Sequence, residues 1–352
     1  MQLEQLLNAA VRGGASDIIL KTNAVPRFRF NGQLIPLAGG EVVSPELMQS
    51  WVQVLRPQIG NLTNVVDQDF AFQTKSGQRF RVNIFKQRGL IGIVMRVILN
   101  HVRSLEELQL PGILGDLVER DRGLILVTGA TGSGKSTTLA AMIDRVNRKT
   151  SAHIITIEDP MEFSFEDQLS VIEQREVGLD TESFAKALRA AMRQNPDIIM
   201  VGELRDRETM QTALQAAETG HLVLATMHTA DAAESIQRIM GFFDQFSAQQ
   251  MRQVVAEVLV GIVSQRLVPR ADKVGMLAAI EILIANETIK EAIRVGASGN
   301  LRSLIDNGGH AWGMQSFDQC LLNFFQQGLI SREIALAHAT SSGDLELKLQ
   351  GI

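Results

Sequence analysis

The residues best suited to chemistry lie between positions 129 and 228 of a 352-residue chain. Gly129-Ala130-Thr131-Gly132-Ser133-Gly134-Lys135-Ser136-Thr137 fits the pattern G-x-x-x-x-G-K-[ST] at every defined position. Glycines at those places let consecutive backbone N–H groups curl around phosphate oxygens, and a helix starting beside them adds its partial positive charge. In such a loop Lys135 would reach the β and γ phosphates and Ser136 would ligate Mg²⁺. The ligand implied is ATP with Mg²⁺.

A little further on, TIEDPMEF (156–163) holds Glu158, Asp159 and Glu162. Hydrolysis of a bound triphosphate needs a metal and a water in line with the γ phosphate. One acid can hold the metal's water shell, which makes Glu158 a metal candidate. Glu162, beyond Pro160 and free of the strand, can orient the attacking water. The competing reading is a helix cap or a solvated turn. DIIMVGELRD (197–206) leads four apolar residues into Gly202 and Glu203, where a Walker B acid would stand. Glu203 is therefore a second Mg²⁺ candidate, or else the partner of Arg205 or Arg207 in an ordinary ion pair.

HLVLATMH places His221 and His228 at the two ends of one strand, roughly 20 Å or more apart, so they cannot share a phosphate. His228, at the end nearer the phosphate loop, is the candidate γ-phosphate sensor, with a structural histidine as the alternative. His221 reads as structural or as a subunit contact. Neither has a Cys or His at ligand spacing for zinc. Earlier, QRFRVNIF turns Arg79 and Arg81 to one face. A two-residue turn at Arg88-Gly89 puts Arg81 opposite Arg96, and like charges there repel. A triphosphate between them would remove the penalty; so would the nearby Asp67 or Asp69. The first arrangement would place the nucleotide between two domains.

The elements that must carry these residues fall into two styles. Over 1–100 the pattern is a small α+β unit. Leu3, Leu6, Leu7 and Ala10 share a helical face closed by Gly13-Gly14, and Pro45–Leu55 reads as a second helix. Asn31-Gly32 signals a type I′ hairpin, and DQDFAFQ, QRFRVNIF and IGIVMRVIL read as further strands. A linker over 101–108 includes Ser104 and Glu107, a capping box expected to open a short helix. From Gly123 the near-continuous apolar runs GLILVTG, HIITIE, DIIMVGE and HLVLATMH alternate with helices over 135–146 and 181–193, which implies a parallel sheet covered on both faces. A long amphipathic helix is expected from 247 to about 265, then the strand MLAAIEILI, then shorter helices. The expected division is thus 1–100, the linker, and an ATPase domain over 109–352 with its core at about 109–270 and a mostly helical part at about 271–352.

Composition restricts the partners. The net charge is −5 and 21% of residues are charged, so nothing draws the whole chain to nucleic acid or anionic lipid, and no nucleic-acid partner is expected. The single cysteine, Cys320, lies in the apolar stretch FDQCLLNFF and reads as a buried inert thiol. The N-terminus has no signal-peptide pattern and no stretch is long and apolar enough to span a bilayer. The expectation is a cytoplasmic protein whose membrane contact is peripheral.

Taken in order, RFRVNIFKQRG, VMRVI, GATGSGKST, TIEDPMEF, NPDIIMVGELRD and AAETGHLVLATMHT resemble the twitching-motility ATPases of type IV pili, the PilT-like members of the secretion-ATPase superfamily. The likeness runs over almost the whole chain. It implies a PAS-like N-terminal domain, a RecA-like C-terminal domain and a homohexameric ring at the cytoplasmic face of the inner membrane. Such a ring would act on a platform protein in that membrane, and indirectly on pilin, to retract the pilus. By position, Glu162 would be the water-activating carboxylate, Glu203 the Walker B acid, and His221 and His228 the His-box pair. Arg81 and Arg96 would reach the γ phosphate. Two places depart from the pattern. Thr288–Val295 stands where the family carries AIRNLIRE, and the tail HATSSGDLELKLQGI is similar to that of the accessory, PilU-like paralogues, which makes a paralogous retraction ATPase a further expected partner. A nucleic-acid translocase and a non-hydrolysing regulatory ring are the competing classes.

Overall fold

A computed structural model describes residues 2–30, 32–57, 67–99, 101–272 and 275–350. The chain folds as two compact units, Met1–His101 together with Pro160–Ser164, and Val102–Asp159 together with Phe165–Ile352.

In the first unit the helices α1 (Leu3–Arg12) and α2 (Pro45–Leu55) accompany strands β1 (Asp17–Lys21), β2 (Arg27–Phe30), β3 (Gln33–Pro36), β4 (Gln68–Gln73), β5 (Arg79–Gln87) and β6 (Leu90–Val97). The strands form one antiparallel sheet in the order β3-β2-β1-β6-β5-β4. Alternation decides its buried face: Phe80, Val82 and Ile84 of β5 and Ile93 and Met95 of β6 pack with Leu6, Leu7, Met48 and Trp51 of the two helices. Arg88 and Gly89 both take positive φ, 49° and 78°, the type I′ geometry whose twist suits a two-residue hairpin. That turn pairs Gln87 with Leu90 and hence Arg81 with Arg96, as expected. The earlier hairpin pairs Phe30 with Gln33; Asn31 lies outside the described residues.

Pro160–Ser164 joins this unit through Leu99, which pairs with Phe163 and is bonded on both sides: Leu99 N donates to Glu162 O (3.3 Å) and Ser164 N to Leu99 O (3.0 Å).

The second unit contains β7 (Gly123–Thr128), β8 (His153–Glu158), β9 (Val171–Glu176), β10 (Ile198–Val201), β11 (Leu222–Met227), β12 (Leu259–Pro269) and β13 (Met276–Ile284). Their order is β13-β12-β7-β11-β10-β8-β9, parallel except for β13. Successive residues of the central strands serve opposite faces. Leu124, Leu126, Ile199, Val201, Val223 and Ala225 meet α5 (Phe184–Ala191), α6 (Arg207–Glu218), α7 (Ala232–Gly241) and α8 (Gln245–Val258). Ile125, Val127, Ile198, Met200, Leu222 and Leu224 meet α3 (Ile113–Val118) and α4 (Lys135–Lys149). Helices α9 (Glu287–Arg294), α10 (Leu301–Asn307) and α11 (Gly309–Trp312) follow β13, and α12 (Phe317–Gln326), α13 (Arg332–His338) and α14 (Ser342–Leu349) close the chain around Phe317, Leu321 and Leu345. This is an α/β fold with one antiparallel and one mostly parallel sheet. Among the described residues no helix is long and apolar enough to cross a membrane.

Two expectations need correction, and one strand is unforeseen. The helix expected to run to about 265 stops at Val258, and the next eleven residues are β12. The run LVGIVSQRLVP is rich in β-branched residues, and pairing to β7 on one side and β13 on the other overrides its continuity with the helix. The box at Ser104 forms, with Ser104 N to Glu107 Oε2 at 2.8 Å and Glu107 N to Ser104 Oγ at 3.2 Å, yet it opens a turn rather than a helix. Gln109 at φ 54° ends it, and the helix begins past Pro111. Strand β9 carried no expectation, because an edge strand reading VIEQRE lacks the apolar run of its neighbours.

Cys320 is buried as expected, and burial pushes its thiol up to about 11.

Candidate active site

The phosphate loop spans the turn from β7 into α4. Gly129, Gly132 and Gly134 have φ of 144°, 79° and 90°, conformations open to glycine and strained for other residues. Lys135 is 8% exposed, and its Nζ donates to the carbonyls of Gly129 (2.8 Å) and Ala130 (2.9 Å), so the ammonium folds back over the loop. Ser136 and Thr137 occupy the first turn of α4, half-buried. The Ser133 hydroxyl is buried without a hydrogen-bond partner.

The sequence reading missed the residue that braces this loop. Gln265, 3% exposed on β12, donates from Nε2 to Ser133 O (2.7 Å) and accepts at Oε1 from Thr138 Oγ1 (2.7 Å). Its one signal in the sequence is polarity within an apolar strand, and that signal was hidden while the segment read as helix.

The neighbouring strands deliver the other groups to the same edge of the sheet. Gly202 N donates to Ile157 O (2.7 Å), Thr226 Oγ1 to Gly202 O, and Leu204 N to Thr226 O (3.0 Å), which fixes the turn carrying Glu203 against β8 and β11. Glu203 Oε1 lies 3.3 Å from His228 Nε2, and Oε2 lies 2.7 Å from Arg205 Nε. His228 Nδ1 is 3.5 Å from Thr131 Oγ1, a long contact. A carboxylate only accepts, so Nε2 carries a proton; in the neutral ring Nδ1 then accepts from the Thr131 hydroxyl. Arg205 continues to Asp159 at 3.9 Å. A polar chain thus runs from the phosphate loop through His228 and Glu203 to Arg205. It borders a cavity of about 350 Å³ that Arg238 also lines. On the other side of the loop, a cavity of about 490 Å³ is lined by Gly134, Thr137, Thr138 and Gln265 and extends to Gln109, Arg270 and Met276.

Glu203 therefore does pair with Arg205, while Arg207 pairs with Asp244 at 3.4 Å.

Other expected residues have different surroundings. Glu158 is buried, accepting from Thr156 Oγ1 (2.7 Å) and Gln174 Nε2 (3.2 Å), and β10 and β11 intervene between its strand and β7. These contacts do not bring it to Ser136, so its role as a metal ligand gains no support. Glu162 lies in the segment that folds with the first unit. His221 Nδ1 donates to Ala216 O (3.0 Å) near the end of α6, a contact that fits the structural reading. Arg96 Nε binds Asp17 Oδ1 at 3.0 Å, Arg29 reaches the same carboxylate at 3.4 Å, and Arg81 lies 3.9 Å from Asp69. The repulsion between Arg81 and Arg96 is thus relieved by carboxylates within the unit, and an anion between them is not required.

Glu281 shares the row of the sheet that contains Thr128, through Ser264. It is 5% exposed and accepts from Ala232 N (2.9 Å) at the start of α7. Burial pushes its carboxyl up to about 7.

A phosphate loop between a buried parallel strand and a helix, with a carboxylate and a histidine on the next strand ends, defines a P-loop nucleotide-binding α/β protein. Residues 1–302 match the family described as type II/IV secretion system protein, and the chain belongs to that family. It is 41% identical over 351 residues to the type IV pilus ATPase PilU of Pseudomonas aeruginosa, covering 99% of this chain and 92% of the relative. It is likewise 41% identical over 341 residues to the retraction ATPase PilT of the same organism, covering 95% and 97%. The crystal structure of the pilus retraction motor PilT with bound ADP superposes with a TM-score of 0.89 at 41% identity, covering 98% of this chain and 99% of that one.

Proposed function

We propose that the chain is an ATP-hydrolysing subunit of a homohexameric ring that powers retraction of type IV pili. The observation that carries the proposal is the chain of contacts from Thr131 of the phosphate loop through His228 to Glu203. The relatives named as pilus ATPases support the pilus as its object. In this reading the first unit is PAS-like and the second RecA-like. The ring sits at the cytoplasmic face of the inner membrane and drives a platform protein there, acting on pilin indirectly and alongside a paralogous retraction ATPase.

The nucleotide's phosphates would lie in the Gly129–Thr137 loop, with Lys135 moving from the loop carbonyls to the β and γ phosphates. Its nucleoside would enter the cavity beside Thr137 and Arg270. Among the described residues no group of three or more His, Cys, Asp or Glu could hold a metal by itself. That suits Mg²⁺, which binds through one or two protein ligands and the phosphates it accompanies. Ser136 and Glu203 would hold it, and it would neutralise the phosphate charge. Glu162 would orient the attacking water, His228 would report the γ phosphate to Glu203, and Arg81 and Arg96 would supply positive charge to it.

The test is deletion of the gene in its host, with surface pili counted by electron microscopy and twitching measured beside it. Excess pili and lost twitching, restored by the wild type and not by Glu162→Gln, are expected. Bald cells would mean an extension motor and would overturn the proposal. Unchanged pili would reassign the chain to an accessory role or to another cargo.

A further inference from the structure

We infer that Gln265 is a positioning residue of the phosphate site, holding the Ser133–Gly134 peptide in its phosphate-binding orientation. The inference rests on the reading of Gly129–Thr137 as a nucleotide site. Both ends of the Gln265 amide are in use, one on the Ser133 carbonyl and one on the Thr138 hydroxyl, so the side chain ties the end of the loop to the first turns of α4. In a planar trans peptide the carbonyl and the following N–H point in opposite directions. Drawing Ser133 O toward β12 therefore turns the Gly134 N–H away from β12. In a loop that binds phosphate through consecutive N–H groups, that peptide must not present its oxygen to the anion.

The glycines of the motif tell the same story from their other side. A Cβ on Gly134 would lie 2.7 Å from Gln265 Nε2, and one on Gly129 would lie 2.4 Å from the Gln265 carbonyl oxygen. Strand β12 thus presses on both ends of the loop, and these glycines admit the strand as well as the phosphates. Without the amide, the Ser133 carbonyl would lose its buried donor. A flip of the 133–134 peptide would then expose that oxygen to the phosphate side.

The experiment uses full-length Gln265→Leu and Gln265→Glu, with ADP and Mg²⁺ as the probe, by titration calorimetry between pH 5.5 and 8. Thermal melting without nucleotide is measured in parallel. Gln265→Leu is expected to weaken ADP binding roughly tenfold or more at every pH, the consequence of one buried carbonyl left without a donor. Gln265→Glu should weaken it comparably at pH 8, where a carboxylate faces the carbonyl. It should recover several-fold as the pH falls, because a protonated acid regains the donor and burial raises its titration range. A purely structural role would lower the melting temperature of both variants without that pH-dependent recovery. Binding within twofold of wild type in Gln265→Leu would overturn the inference, as would a Gln265→Glu whose loss is the same at both pH limits. If one variant does not fold, the other decides alone. Failure of the wild type itself to bind ADP would instead bring down the nucleotide site on which the inference rests.

Discussion

The two edges of the parallel sheet hold similar polar residues and use them differently. At the amino edge, His221 binds a helix carbonyl, and Asp197 accepts from His153 N at 2.8 Å. Those side chains finish backbone hydrogen bonding where elements end, and there they tie the fold. At the carboxyl edge, His228 faces a hydroxyl and a carboxylate, and Lys135 covers two carbonyls that phosphates could relieve it of. Buried groups there are left in costly states: the Ser133 hydroxyl without a partner and Glu281 with a carboxyl pushed up to about 7. A residue at the first edge contributes stability, whereas one at the second holds stability in reserve for binding.

Substitutions that separate stability from turnover can break this comparison. The largest effect is expected for Lys135→Ala. Steady-state phosphate release with Mg·ATP should fall by about 10²–10³ while thermal stability changes little, the scale of losing a donor aimed at developing charge. Activity near wild type would remove the carboxyl edge from the chemistry. Next is Glu281→Gln. A carboxyl titrating near 7 in the folded chain and near 4.5 when unfolded favours folding below about pH 4.5, and this contribution is lost as the pH rises through 7. Denaturant titrations should show wild type losing on the order of 3 kcal/mol relative to the Gln variant across that window, with no further change above it. A constant difference would mean that the carboxyl titrates normally.

Glu203→Gln follows. It keeps the size and removes the charge shared between His228 and Arg205, and a roughly 10²-fold fall in turnover with ADP binding retained is expected. Equal losses in binding and turnover would make Glu203 a support of the loop.

The carboxyl edge was readable in the sequence where local rules govern it. The glycine pattern specifies the phosphate loop, and strands such as GLILVTG and HLVLATMH are near-continuous apolar runs because both faces are covered. The Arg88-Gly89 turn even fixed the pairing of Arg81 with Arg96, and Asp69 was readable as an acid near them, whereas the carboxylate that Asp17 brings from β1 was not. What escaped depends on pairing across the chain. Strand β12 continues the apolar pattern of α8, and only its partners β7 and β13 make it a strand. Gln265 could not be recognised before that strand was. Nor does anything local in MEFS show that Leu99 takes Phe163 into the first unit.

The two histidines give the smallest and most direct test, since they flank the same strand. In His228→Ala the Glu203 carboxylate loses one donor and keeps Arg205. A hydrogen bond to a charged group is worth about 1.5–3 kcal/mol, so turnover should drop roughly 10- to 100-fold with a nearly unchanged melting temperature. In His221→Ala the Ala216 carbonyl loses one side-chain donor but keeps the Thr219 hydroxyl at 3.1 Å and the His221 backbone N–H at 3.2 Å. A stability loss of about 1 kcal/mol is expected, with turnover within twofold of wild type. Measured together by melting and phosphate release, the pair should separate along opposite axes. If His221→Ala instead abolished turnover in a folded protein, the amino edge would have to take part in the cycle, and the division of labour between the two edges would fail.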